Sequence, residues 1–262
     1  MTFASDSSDT HAIAEHDGAP TLTRTDHVWT ITLARPAQHN RLDPADVTAL
    51  SAVFDQARAA RPKLLVITGR GEKTFCSGYT LSAIASELDQ RFEVMLNQLE
   101  SLPFLTIAAL NGSAYGGATD LALCCDIRLG VPGIRLFMPA AKFGLHYYPD
   151  GLRRYVNLLG LPLASKLMLT GMTIEADEML RVGYLTELVD AGDLTTRVQA
   201  YADATALTEP TVVAEMKEQM RGLATQQTDA SLEQLKNTMQ QSYQSSLKSE
   251  ALQTRVADLL KR

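Results

Sequence analysis

The sequence predicts an α/β core that gives way to a helical C-terminal part, and three observations predict it. Two nearly continuous apolar runs, residues 63–69 and 104–110, have the composition of strands buried on both faces. Each run ends in a glycine-containing turn that leads into a helical pattern. From about residue 152 onward, the apolar residues recur almost wholly at helical spacing.

The elements follow in order. Residues 1–19 are small, polar and aperiodic, which reads as a disordered leader. Thr21–Arg24 and Val28–Leu33 are β-rich runs split by Asp26-His27, a hairpin signal. Asp43-Pro44 has the form of an N-cap with proline at the first helical position. The helix it opens runs to about Ala60, with Val47, Leu50, Val53 and Phe54 on one face. Residues 82–101 read as one helix, Asn111–Gly117 as a turn, residues 118–124 as a short apolar helix with one acid, and Ile127–Leu129 as a strand. The later helices are expected at 152–160, 163–170, 175–181, 193–206, 210–222, 229–246 and 248–260. The organisation is thus a leader over 1–19, a core over 20–200 and a C-terminal helical region over 201–262.

Composition narrows the functional classes. Of 262 residues, 45% are apolar, and 24 basic side chains stand against 30 acidic ones. The resulting charge of −6 argues against a nucleic-acid partner, which requires a basic face to neutralise phosphates. Cys76, Cys124 and Cys125 are too few and too unevenly placed for a disulfide framework and read as free thiols of a reducing compartment. No run reaches the length of a membrane span, and the acidic N-terminus lacks the features of a signal peptide, so the expected address is cytoplasmic.

The chemistry is expected at the two glycine turns, Gly69–Leu81 and Asn111–Gly117. Ligands of α/β sheets bind beyond the carboxyl ends of the strands, where backbone N–H groups point outward. Two adjacent turns can aim two such groups at one carbonyl oxygen, which makes an oxyanion hole. Glycine at 78 and 117 would let the ligand approach the backbone closely. The first turn lacks the spacing of a phosphate loop and the second is not G-x-G-x-x-G, so a dinucleotide site is a weak rival.

Three segments carry a family resemblance. Ile31–Pro36 with Asn40-Arg41-Leu42, Thr74–Leu81, and Asn111–Ala118 with Cys125–Arg128 resemble successive motifs of the crotonase (enoyl-CoA hydratase/isomerase) superfamily, in order and at matching spacing. The resemblance implies a crotonase-like (ClpP/crotonase) spiral of ββα units with a helical C-terminal trimerisation region, assembled as a homotrimer or a dimer of trimers. It also implies stabilisation of a coenzyme A thioester enolate, with coenzyme A as part of an acyl-CoA substrate and no permanently bound cofactor or metal. Carried over residue by residue, the oxyanion donors are the backbone N–H groups of Ser77 and Gly117. Coenzyme A is implied along Asn40, Arg41 and Leu42 and along Gly78, Tyr79, Leu81 and Gly116.

The sequence also departs from the family. The two glutamates of family hydratases fall at Asp120 and Ala140, and a methyl group transfers no proton. Thr80 replaces the acid of the first turn, and Tyr148 stands where some isomerases and dehalogenases carry an aspartate. Asp120 is the best-placed acid or base, with a salt bridge as its rival reading. His146, Tyr147, Tyr148 and Asp150 form a polar, aromatic set expected opposite it. His146 reads equally as a hydrogen-bonded core histidine. In extended chain Tyr147 and Tyr148 point to opposite sides, so one of them is expected at the site. Arg153-Arg154 read as residues that cap or pair at a helix or trimer contact rather than bind substrate, and the cysteines as packing. Leu167, Met168 and Leu169 read as core or trimer interface. Lys217 and Lys248 read as solvated or as reaching coenzyme A phosphates. The expected function is an acyl-CoA enzyme of enoyl-CoA hydratase/isomerase type, with isomerase, decarboxylase or C–C hydrolase chemistry ranked above hydration. The alternative is a member of the same fold that binds acyl-CoA or a protein without turnover.

Overall fold

The computed structural model describes residues 11–12, 18–25, 27–224, 237, 240–241 and 243–261. The first strands are β1 (His11–Ala12), β2 (Thr21–Arg24) and β3 (Val28–Leu33), successive antiparallel partners. Of the 1–19 leader, β1 and residues 18–19 are described and the remainder lies outside the described residues. Helix α1 (Pro44–Ala60) begins as read from Asp43-Pro44: Asp43 and Asp46 form a reciprocal capping box.

A three-step unit then repeats. β4 (Leu64–Gly69) is followed by β5 (Thr74–Cys76) and the helices α2 (Leu81–Ile84) and α3 (Gln90–Glu100). β6 (Leu105–Leu110) is followed by β7 (Ser113–Tyr115) and α4 (Gly117–Leu123). β8 (Ile127–Gly130) is followed by β9 (Arg135–Phe137) and the helices α5 (Ala140–Phe143) and α6 (Pro149–Thr170). In each round the longer strand joins one sheet and the short strand a second. The chain continues through β10 (Ile174–Glu175), α7 (Ala176–Arg181), β11 (Glu187–Leu188), α8 (Leu194–Ala206), α9 (Pro210–Ala224) and α10 (Glu250–Leu260). Among the described residues the large sheet has the order β1-β2-β3-β4-β6-β8-β11, parallel from β3 onward. The small sheet has the order β10-β9-β7-β5. This is a spiral of strand–strand–helix turns.

The physical reason for the large sheet is plain in β4, where Leu64, Leu65, Val66 and Ile67 are all buried, so both faces are covered. Helices α1 and α3 pack on one another, and Leu50, Phe54, Leu96 and Leu99 are buried in the core. The short strands β5, β7 and β9 escape a periodicity reading because three residues are too few to show one. The helix expected over 82–101 is interrupted before Asp89, whose carboxylate caps α3 by accepting from the Arg91 N–H. The two helices expected over 152–170 begin earlier, at Pro149, and are merged across a kink at Gly160, with Pro162 just beyond it. The helix expected over 229–246 falls mostly outside the described residues; those described, 237, 240–241 and 243–246, are helical. No helix among the described residues is long and apolar enough to cross a membrane.

Lys217 overturns both of its readings. It is buried on α9, and its ammonium donates to the Phe104 carbonyl at 2.7 Å and to Asp126 Oδ2 at 2.5 Å. Asp126 Oδ2 also accepts from the Thr106 N–H and hydroxyl, both at 2.8 Å. Lys217 therefore fastens the C-terminal helices to the strand edge and reaches no ligand, whereas Lys248 stands exposed. Lys217→Met should lower the free energy of unfolding by about 2–3 kcal/mol, near the lower end for breaking a buried pair because Asp126 keeps some solvent contact. Urea denaturation measures the loss, and affinity for coenzyme A should stay unchanged.

Candidate active site

The two glycine turns are laced into one surface by the backbone. The Leu42 N–H donates to the Gly78 carbonyl at 2.8 Å, and the Thr80 N–H donates to the Leu42 carbonyl at 2.9 Å. The Ser77 N–H donates to the His39 carbonyl at 2.9 Å. Asn40, in the left-handed region at φ 51°, donates its side-chain amide to the carbonyls of Arg70 at 2.9 Å and Thr74 at 2.7 Å. Asn40 and Leu42 are both buried, so these two residues brace the turn from behind.

This lacing corrects the first donor. The Ser77 amide already has an acceptor, so it has no hydrogen left to offer a ligand. Two residues further on, the Tyr79 N–H has no protein acceptor among the described residues, because the parallel bridge to Leu42 uses its neighbours instead. The Gly117 N–H opens α4 and likewise has no protein acceptor among the described residues. Gly78 brings the two turns together: at φ +85° it sits where a Cβ would lie 2.8 Å from both Gly117 N and the Tyr115 carbonyl oxygen. Gly116 also has positive φ and donates its own N–H to the Phe137 carbonyl at 2.8 Å.

Tyr79 and Gly117 border a cavity of ≈ 400 Å³. Ser77, Leu81, Gly116 and Arg41 also stand on its wall, whereas Asn40, Leu42 and Gly78 lie behind it. The far side is apolar and aromatic, with Phe92, Met138, Ala140, Phe143, Tyr148 and Tyr243. Among the described residues, the wall carries no Asp, Glu or His, and Arg41 is its one charged side chain. Arg41 is partly exposed and pairs with Asp43 at 3.2 Å.

Asp120 is placed behind this wall and not on it. It is fully buried on α4 and held by Arg154 in a two-pronged ion pair, Nε to Oδ1 at 2.7 Å and Nη2 to Oδ2 at 3.0 Å. Arg154 is itself fixed by Asn97 Oδ1 and Glu100 Oε2, each at 2.9 Å. It thus pairs inside the fold as the counter-charge of Asp120, the salt bridge that is the rival reading of that carboxylate. The carboxylate also accepts from Tyr148 Oη and, at 3.2 Å, from Tyr147 Oη.

Both tyrosines therefore line the cavity, contrary to the expectation of one. The rings stack with centroids 4.2 Å apart at the start of α6, where the chain leaves the extended state. Gly151 makes room for them: a Cβ there would lie 2.3 Å from Tyr147 Cε1 and 2.7 Å from Tyr148 Cε2. Burial, and then the neighbouring Asp120 charge, push both phenols well above their ordinary range. They remain neutral hydrogen-bond donors.

His146 is not brought to this group. Its Nδ1–H donates to the Tyr147 carbonyl at 2.7 Å, its backbone N–H donates to Ser246 Oγ at 2.8 Å, and the ring lies in a separate open groove beside Ser249. The three cysteines are buried and free, and burial pushes the Cys76 thiol up to about 12, in line with packing roles. Among the wall residues that sequence reasoning missed are Phe92, on a helix read only as a helix, and Tyr243, in the C-terminal segment. An aromatic residue at helical spacing gives no signal that separates a pocket wall from a core.

The comparisons with known proteins agree with this architecture. The sequence profile of the enoyl-CoA hydratase/isomerase family matches residues 23–257. The chain is 29% identical to the (E)-benzylidenesuccinyl-CoA hydratase of Thauera aromatica, over 76% of this chain and 80% of that one. It is 30% identical to the short-chain-enoyl-CoA hydratase of Clostridium acetobutylicum, over 71% and 74%. In fold it is similar to a methylmalonyl-CoA decarboxylase solved with 2-nitronate-propionyl-CoA, with a TM-score of 0.82, 18% identity and coverage of 93% and 95%. With its spiral of strand–strand–helix turns, this chain belongs to the enoyl-CoA hydratase/isomerase family and has the crotonase fold.

Proposed function

We propose that the protein decarboxylates a coenzyme A thioester whose α-carbon bears a carboxylate, a malonyl-type acyl-CoA. The observation that carries this reading is a pair of amides, Tyr79 and Gly117, without a protein acceptor among the described residues, beside a cavity whose described wall residues include no Asp, Glu or His. Hydration needs a group to activate water, isomerisation needs one to remove the α-proton, and C–C hydrolysis again needs activated water. Asp120 is engaged by Arg154 and the tyrosines, and Ala140 has nothing to transfer.

Decarboxylation needs no base. The bond between the α-carbon and the carboxylate carbon breaks, its electron pair moves into the thioester carbonyl, and carbon dioxide leaves. The enolate oxygen then rests on the Tyr79 and Gly117 N–H groups, each such donor being worth roughly 3–4 kcal/mol in the transition state. Phe92, Met138 and Ala140 favour the same step, since an apolar wall strips water from the departing carboxylate. The α-carbon afterwards takes one proton, for which the protonated Tyr148 hydroxyl is the donor in this reading, replenished from solvent. Coenzyme A would extend past Leu81 to Arg41 at the mouth, as substrate rather than resident cofactor. The exposed Leu161, Leu169 and Met172 on and after α6 support assembly with further copies, as a trimer or dimer of trimers.

A second reading, binding without turnover, rests on the same missing base, and one panel separates the two. Malonyl-type thioesters should lose carbon dioxide while crotonyl-CoA is not hydrated; faster hydration of crotonyl-CoA would contradict the proposal, and binding without any reaction would favour the second reading. Gly78→Ala should lower kcat/KM about 10²- to 10³-fold by separating the two turns. Tyr148→Phe should lower kcat about 10²-fold with little change in KM.

The pH profile carries a sign. Both phenols are raised above their ordinary value of about 10, so the protonated form persists upward in pH rather than being lost early. Among the described residues, no carboxylate or imidazole stands on the wall. Turnover should therefore be flat from roughly pH 6 to 9, and a rising limb near neutrality would reveal a base.

A further inference from the structure

Phe92, on α3, lines the cavity beside the second amide. A Cβ on Gly117 would lie 2.7 Å from Phe92 Cζ and 3.0 Å from Cε1, so the tip of the ring rests against the residue whose N–H opens α4. Covalent geometry then puts that tip within about 6 Å of the Gly117 nitrogen. The ring meets Tyr79 edge-to-face with centroids 5.7 Å apart, and Tyr148 in the same manner at 6.4 Å. Phe92 thus touches the residues of both amides and the proton donor of the proposed reaction. Buried between two rings and a backbone, it has no room to swing aside.

We propose that Phe92 is a specificity residue that limits the substituent on the substrate's α-carbon, accepting hydrogen or methyl and excluding longer alkyl chains. The inference deepens the acyl-CoA reading of the same cavity and rests on it. In that reading the thioester oxygen sits about 2.9 Å from the Tyr79 and Gly117 nitrogens. The sulfur leads out past Leu81 to Arg41, so the α-carbon is the inner substituent of the carbonyl. It lies two bonds from the bound oxygen, which brings an alkyl group on it up to Phe92. A chain pressed against a ring that cannot move overpacks the site, and a tight apolar wall discriminates by about 10- to 200-fold per methylene. Open apolar space would give the opposite order, since each methylene buried there strengthens binding about fourfold.

The test compares methylmalonyl-CoA with butylmalonyl-CoA on the full-length protein, with kcat/KM for loss of carbon dioxide as the readout. Wild type should prefer the methyl compound by more than about tenfold. Phe92→Ala opens a cavity where the ring stood and should bring the ratio to about one or reverse it. Only the ratio is read, because the ring also belongs to the apolar wall. Phe92→Leu, a smaller change, should move the ratio several-fold in the same direction, and it serves if the alanine variant does not fold. If both thioesters bind and neither reacts, the decarboxylation reading fails, while the same ratio, read as Kd by titration calorimetry, still decides the role of Phe92. A wild-type preference of tenfold or less, or a preference unchanged in the folded variants, overturns the assignment. If methylmalonyl-CoA neither reacts nor binds, the acyl-CoA reading fails and the assignment falls with it.

Discussion

The site depends on one close approach, that of the turn at Gly78 to the turn at Gly117. With a Cβ excluded at 2.8 Å from the opposing amide nitrogen, only glycine allows the two loops to touch. The contact is prepared far from the ligand. The loop of residues 39–42 holds the first turn through three backbone hydrogen bonds, and the small sheet holds the second through β5, β7 and β9. The ladder of the large sheet then sets the spacing between successive rounds of the spiral. Rigid elements thus fix two amides that, being main chain, persist through changes of side chain around them.

Near that fixed pair, the carboxylate of Asp120 is turned away from the cavity. Asp120 lies in the segment that follows the second amide, yet Arg154 and the two stacked phenols saturate it. Removing one partner from a pair buried this deeply typically costs 3–5 kcal/mol, so the carboxylate is not free to turn toward the cavity. Tyr147 and Tyr148 stand on the cavity wall with their hydroxyls on Asp120, kept neutral by burial and by the charge behind them. Among the described residues, the wall thus carries no carboxylate or imidazole that could take a proton from carbon.

Much of this was legible in the sequence where the signal is local. The buried strands, the Asp43-Pro44 helix start and the motif spacing of the two turns all rest on short-range chemistry, and the fold they imply is the one observed. The partner of Asp120 was not legible, because Arg154 lies 34 positions away and its direction depends on how α6 crosses α4. The displacement of the first donor from Ser77 to Tyr79 was hidden for a related reason. Which amide is free depends on where the His39–Leu42 loop docks, and that docking is tertiary. Tyr147 and Tyr148 evaded an alternation rule that holds for extended chain but fails at a helix entry made roomy by Gly151.

In the proposed reaction an enolate arises by loss of carbon dioxide, with no base among the described residues of the wall. Deuterium incorporation tests this most directly. In deuterated water, decarboxylation of a malonyl-type thioester should place one deuterium on the α-carbon of each product molecule, while the same product supplied to the enzyme as starting material should acquire none over many turnover times. Exchange of the α-hydrogens of that saturated thioester at a rate comparable to turnover would contradict the account, since it would show a group in the cavity that removes protons from carbon.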